Sequence, residues 1–133
     1  MKKIISFDFD NTLSKKNVQE YVEKLDRDKF DIIVVTTRYQ DCNNYIRKDE
    51  DCHSELFKIS KKLKINKIYF TNFENKWKTL IKIPNVLIHL DDDFIELNEI
   101  NKYCAAKGIS VNSTNWQHKI NKIIKDDKKD SSH

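Results

Sequence analysis

Near the N-terminus an apolar run, Ile4-Ile5-Ser6-Phe7, stops at Asp8-Phe9-Asp10-Asn11-Thr12: two carboxylates two residues apart, then a hydroxyl. If the run is a buried strand, Asp8 is the first residue to emerge at its carboxyl end. Strand alternation then turns Asp8 and Asp10 the same way. Two negative charges converging on one small volume are costly unless a cation or a shared proton relieves them. The stretch asks for a metal ion, acid–base chemistry, or both. Two further apolar runs end in reactive groups. Phe30-Asp31-Ile32-Ile33-Val34-Val35 runs into Thr36-Thr37-Arg38, side chains suited to phosphate oxygens, and Val86-Leu87-Ile88-His89-Leu90 runs into Asp91-Asp92-Asp93.

The elements that must position these groups can be read from periodicity. Apolar runs at 4–7, 30–35, 67–71, 86–90 and 109–111 read as strands. Between them, Val18, Tyr21, Val22 and Leu25, then Leu56, Ile59 and Leu63, then Ile95, Ile100 and Tyr103, and finally Trp116, Ile120, Ile123 and Ile124 fall at helical spacing. Asn17 with Glu20 is expected to cap the first helix, and Gly108 to end the one before the last strand as a C′ residue. Residues 39–66 are expected to be mostly helical, with Tyr45 and Ile46 in a short helix and a loop at 48–51. Strands alternating with helices predict an α/β fold: a Rossmann-like, doubly wound, mostly parallel five-stranded sheet with helices on both faces. In such sheets ligands bind beyond the carboxyl ends of the strands, at a topological switch point. Asp8, Asp10, Thr36 and Asp91 or Asp92 lie far apart in sequence, and this fold class delivers them to one rim.

Composition bounds the function. The 133 residues make one domain, taken as 1–125, with a charged tail at 126–133 expected to be disordered. No apolar run approaches the roughly 20 residues that span a bilayer, and Met1-Lys2-Lys3 is not followed by a signal-peptide core, so no membrane association and a cytoplasmic location are expected. Cys42, Cys52 and Cys104 are an odd number without framework spacing and read as reduced thiols. The net charge of +4 permits an anionic substrate or nucleic acid without demanding one. A single glycine, Gly108, rules out both a GxGxxG turn and a P-loop. A phosphate site must therefore use side chains, a metal and helix N-termini.

With these residues in hand a resemblance is plain. Asp8-Phe9-Asp10-Asn11-Thr12 resembles the DxDxT signature of the haloacid dehalogenase (HAD) superfamily of phosphohydrolases. Thr36 looks like that family's second motif, a lysine within Asn75-Lys76-Trp77-Lys78 its third, and Leu90-Asp91-Asp92-Asp93 its acidic fourth. The resemblance spans residues 3–124. It implies that Asp8 is a nucleophile forming an aspartyl-phosphate, and that Asp10 protonates the leaving oxygen and then activates water. It also implies Mg²⁺ held by the Asp8 carboxylate, the Asp10 backbone carbonyl and Asp91 or Asp92. Thr36 would donate to a phosphoryl oxygen and Lys76, or Lys78, would balance the negative charge. Thr12, Thr37 and Arg38 stand as candidate substrate-binding side chains.

The chemistry agrees with that implication. A carboxylate attacks a phosphate dianion poorly unless cations screen the repulsion, and Mg²⁺ accepts oxygen ligands while keeping several waters. Asp10 must hold a proton near neutral pH, which partial burial would favour and a nearby metal would oppose. Blander readings stand beside these: Asp93 is a helix-capping residue, Arg38 can be a surface ion pair, His89 a satisfied core histidine, and Tyr69 and Trp77 packing rather than base-stacking groups. Cys52-His53 lacks zinc-site spacing.

Residues 13–31 and 38–75 leave no room for a sizeable cap, so the chain is similar to capless HAD members, whose open sites suit large or extended substrates. The expected substrate is an accessible phosphate monoester, such as that of a nucleotide or nucleic-acid end. A small metabolite or a phosphoprotein is the alternative, and the chain is expected to be a monomer or small homo-oligomer. A phospho-acceptor receiver domain, a phosphotransferase, and a HAD-like scaffold that binds without turnover are alternatives of other classes.

Overall fold

Residues 2–45 and 51–130 are described by a computed structural model. The β-branched run of the second strand shows how the fold is built: Ile32 and Val34 enter one core layer while Ile33 and Val35 enter the other, the period of two that a sheet covered on both faces requires. The strands are β1 (Lys3–Phe7), β2 (Phe30–Thr36), β3 (Lys67–Phe70), β4 (Val86–Asp91) and β5 (Lys107–Ser110). All pairings are parallel, in the order β3-β2-β1-β4-β5. The helices are α1 (Lys16–Glu23), α2 (Ser54–Lys62), α3 (Lys76–Leu80), α4 (Phe94–Tyr103) and α5 (Trp116–Asp130).

One core layer joins Ile5, Phe7, Ile88 and Leu90 to Val18 and Val22 of α1, Leu56 of α2, and Trp116 and Ile120 of α5. The other joins Ile33, Val35 and Val86 to Leu80 of α3 and Ile100 of α4, with Tyr69 and Trp77 packed against it. A register shift lets Ile4 face Val86 while Ile5 faces Ile88, so β4 carries one extra residue, Leu87. The chain is thus a Rossmann-like, all-parallel α/β domain without a cap. The winding reverses between β1 and β4, which lie side by side. That pair of carboxyl ends is the switch point.

Several expectations are corrected. α1 begins at Lys16 behind Lys15, with no side-chain cap, so Asn17 lies inside the helix and does not form a box with Glu20. Among the described residues between Thr36 and α2 the helical structure is one short 3₁₀ turn, Cys42–Asn44, rather than the expected helix at Tyr45, which is extended after it. Ile46 and residues 48–50 fall outside the described residues. Ile95 and Tyr103 face outward; Ile100 is buried as expected, and Leu97 joins it on the buried face of α4. α5 continues through Asp130, so residues 126–130 of the expected disordered tail are helical, and 131–133 lie outside the described residues. Cys42 and Cys52 form a disulfide, leaving Cys104 as the free thiol. The odd count had hidden one local pair.

Gly108 is not a helix terminator. It sits within β5, where a Cβ would lie 3.0 Å from Leu97 Cδ2 and 3.2 Å from the Leu97 carbonyl oxygen. The residue is small because α4 crosses β5 too closely for a methyl group. Gly108→Ala is expected to lower stability by about 1–3 kcal/mol, measurable as a depressed Tm with unchanged far-UV circular dichroism.

Candidate active site

β1 ends at Phe7, and the ladder carries one step further: the Asp8 N–H donates to the Leu90 carbonyl at 2.9 Å. The chain then leaves the sheet in a wide turn, Phe9–Leu13, closed by the Leu13 N–H on the Asp8 carbonyl. Within it Asn11 takes a left-handed conformation (φ 59°), which asparagine tolerates better than most residues. The turn buries the Asp8 carboxylate and brings the Thr12 hydroxyl back to donate to Asp8 Oδ2 at 3.1 Å. Thr12 therefore fixes Asp8. The side chains of Asp8 and Asp10 do not converge, because the extended backbone at both residues is broken by the turn rather than continued as a strand.

Lys76, the first residue of α3, is buried and points Nζ between two carboxylates, donating to Asp8 Oδ1 at 2.8 Å and to Asp91 Oδ2. Its backbone N–H donates to Glu96 Oε2 at 2.8 Å, tying the start of α3 to α4. Lys78 is exposed. Asp91, the last residue of β4, is fully buried; its Oδ2 also meets His89 Nε2 at 2.8 Å, and its Oδ1 accepts from the Asp93 N–H. His89 Nδ1 lies 2.8 Å from Ser6 Oγ, the residue opposite it on β1. Burial lowers the His89 pKa, so the imidazole is neutral; the network assigns Nε2–H as donor to Asp91 and Nδ1 as acceptor from Ser6. Asp93 caps α4 through its side chain, accepting from the Ile95 and Glu96 N–H groups.

These contacts separate two neighbouring carboxylates electrostatically. Burial, joined by the charge of Asp91 and a hydrogen bond with Asp92, raises Asp8 to about 8 despite the opposing pull of Lys76. Burial also acts to raise Asp91, yet the hydrogen bond from neutral His89 and the Lys76 ammonium hold it well below the usual carboxylate range. Lys76 stays charged because Asp8 and Asp91 outweigh its own burial. Glu96 is pushed up, by burial first.

Oxygens of Asp8, Asp91 and Asp92 lie within 4.8 Å of one another. With all three ionised, the carboxylates against the single Lys76 ammonium leave two formal negative charges uncompensated, which the raised Asp8 relieves by keeping its proton. An all-oxygen donor set, with a net formal charge of −2 once Lys76 is counted, fits a hard divalent cation. Cys42, Cys52 and His53 also cluster, but the disulfide spends both sulfurs and His53 is engaged at both ring nitrogens, with Arg38 and with the Tyr39 carbonyl.

Asp10 stands apart from this cluster. Its side chain is 53% exposed, contrary to the partial burial expected, and is gripped by Arg38: Nε donates to Oδ2 at 2.9 Å and a terminal nitrogen to Oδ1 at 2.6 Å. Arg38 also donates to the Cys52 carbonyl and lies over the Phe9 ring. Thr36 is buried at the end of β2 and its Oγ1 accepts from the Arg38 N–H, which leaves its own proton to donate. Thr37 lines a cavity of about 390 Å³ with Asp10, Arg38, Tyr45, Cys52 and Phe73. Larger concavities of about 620 and 630 Å³ lie elsewhere. The first sits at the amino ends of the strands, and neither contains the carboxylate cluster.

The structure thus gathers Asp8, Thr12, Lys76, Asp91 and Asp92 around one point, and sets Asp10, Thr36, Thr37 and Arg38 beside it. Sequence reasoning missed the Ser6–His89–Asp91 chain, although two polar residues inside apolar strand runs were its signal. It also missed Glu96, whose role depends on where α3 meets α4. No protein-family model, curated protein or solved structure matches this chain.

Proposed function

We propose that this protein is a HAD-type, Mg²⁺-dependent phosphomonoesterase acting through an aspartyl-phosphate on Asp8. The observation that carries the reading is the buried Asp8–Lys76–Asp91 cluster at the switch point. Lys76 and Thr12 aim the two Asp8 oxygens, and Asp91 is kept ionised by His89 and Lys76. The residues that would hold the cation are Asp8, Asp91 and Asp92, with the Asp10 carbonyl added by the family resemblance. When bound, it supplies the positive charge that lets Asp8 ionise and screens an incoming phosphate dianion.

In the reaction, an Asp8 carboxylate oxygen bonds to phosphorus as the ester P–O bond breaks, and Asp10 gives its proton to the departing alcohol. Asp10 then takes a proton from water, whose oxygen attacks phosphorus; inorganic phosphate leaves and Asp8 is regenerated. Asp10 can do this only if released from Arg38. A substrate phosphate, which matches the guanidinium fork as well as a carboxylate does, supplies the competitor. Thr36 has its hydroxyl proton free for a phosphoryl oxygen. The absence of a cap leaves the site open to extended substrates, which favours an accessible phosphate such as that of a nucleotide or nucleic-acid end.

The test is phosphate release from an aryl phosphate with and without Mg²⁺. Release that stops on chelation is expected; no release, or release indifferent to chelation, would overturn the reading. Arg38→Ala is expected to weaken substrate binding about 10-fold or more, the range of a lost charged hydrogen bond, seen in steady-state kinetics as a rise in KM.

A further inference from the structure

The cavity beside Asp10 belongs to an aromatic cluster that the proposed chemistry does not use. Tyr39 stacks near Phe73 at 4.6 Å and Tyr45 at 5.7 Å; Tyr45 meets His53, which in turn meets Phe57 and Phe70. Phe73 is 61% exposed and lines the cavity together with Arg38 and Asp10. Its backbone is also strained. Asn72 (φ 54°) and Phe73 (φ 64°) are both left-handed, a rare conformation for a bulky residue and one that costs of order 1–3 kcal/mol. Hydrogen bonds with the segment just after β2 hold it: the Phe73 N–H donates to the Thr37 carbonyl at 2.7 Å, the Asn72 N–H to that of Arg38, and the Gln40 N–H to the Asn72 side chain. Although it meets Tyr39, this apolar ring is held mostly in solvent by a strained backbone, in the wall of the cavity that Arg38 also lines.

We propose that this cavity is a base subsite: it takes the nucleobase and sugar attached to the phosphate, with the base stacked on Phe73. This deepens the phosphomonoesterase reading and rests on it for the direction of the phosphate. A volume of about 390 Å³ lies in the range of small-molecule sites, roughly 300–1,000 Å³, and exceeds what a single phenyl ring needs. Thr37 supplies polar atoms for the base edge or sugar hydroxyls, which leaves Asp10 to the ester oxygen and Arg38 to the phosphate. Stacking on an exposed aromatic is tolerant of base identity, so the subsite reads "nucleotide" rather than a particular base.

The test uses the full chain with Asp8→Asn, which cannot turn over, titrated with adenosine monophosphate, a short single-stranded oligonucleotide with a terminal phosphate, phenyl phosphate and ribose 5-phosphate. The two base-bearing ligands are expected to bind tighter than ribose 5-phosphate by about 5–150-fold, the range for one stacked base. Whichever of them binds better identifies a free nucleotide or a strand end as the source. Adding Phe73→Gly should collapse that ratio toward one without lowering Tm, because glycine relieves the strain; Phe73→Trp should restore it. Equal binding of adenosine monophosphate and ribose 5-phosphate, preference for phenyl phosphate, or a ratio unmoved by Phe73→Gly would each overturn the subsite while leaving phosphatase activity standing. A wild-type protein that hydrolyses no phosphate ester, with the binding ratio intact, would instead overturn the phosphatase reading alone.

Discussion

Asp8→Asn is expected to lower phosphate release by at least about 10³-fold, because it removes the only group that could carry the phosphoryl in the proposed mechanism. The substitution should leave the fold intact. Asparagine has the shape of aspartate, its carbonyl can still accept from Lys76, and the Thr12 hydroxyl can turn to accept from the amide where it now donates to Asp8 Oδ2. Stability should move in a defined direction. Burial gives Asp8 a folded-state pKa of about 8 against 3.8 in the unfolded chain, so between those values the folded protein binds the extra proton. Wild-type stability therefore falls as pH rises through that window, and the Asn variant lacks the loss. In chelator, the variant should gain on the wild type by up to about 1.4 kcal/mol per pH unit between pH 5 and 8. Added Mg²⁺ should close the gap by letting Asp8 ionise at no such cost. Denaturant midpoints at three pH values decide it; a constant difference would show that Asp8 is not the buried, hard-to-ionise group described here.

Lys76→Met is expected to have the largest effect on folding. Lys76 is the shared partner of Asp8 and Asp91, both buried, and methionine fills its volume without its charge. Stranding buried carboxylates typically costs about 3–5 kcal/mol, and removing one positioned electrostatic partner costs about 10²–10³ in rate. The variant should be rescued in stability by divalent cation and by low pH, which protonates Asp91 once Lys76 no longer helps hold it ionised. Lys78→Met, at an exposed position, should change neither property. If the two variants behaved alike, the lysine that serves the site would be misassigned. This pair separates them because burial, rather than charge, distinguishes the two lysines.

The fold was largely legible. Five apolar strand runs and the helical spacing between them specify a parallel α/β sheet because both faces of each strand must be covered. The strands fell within two residues of expectation at each end. What misled were short-range signals. Asn17 looked like a cap, and Gly108 like a terminator, because asparagine and glycine are read locally; at Gly108 the deciding contact is with Leu97, eleven positions earlier. Ile95 looked like core on hydropathy, yet the pitch of α4 turns it outward behind the Asp93 cap. Cys42 and Cys52 are joined across ten positions, a pairing that no spacing rule encodes.

By itself the sequence determined which residues reach the carboxyl rim: Asp8, Thr36 and Asp91 end apolar runs, and strand direction does the rest. Tertiary structure decided which of those groups touch. Lys76 rather than Lys78 enters the cluster because the first turn of α3 is pinned by Glu96 of α4. Asp91 is the buried, ionised carboxylate because His89 beneath it is supported from β1 by Ser6. Asp10 was expected to converge with Asp8 and faces Arg38 instead, because the chain leaves the sheet at Asp8 and the two-residue alternation of a strand no longer applies. Periodicity sets direction along one element. Contact between side chains of different elements is set by packing angles and cross-chain hydrogen bonds, which no single stretch of sequence contains.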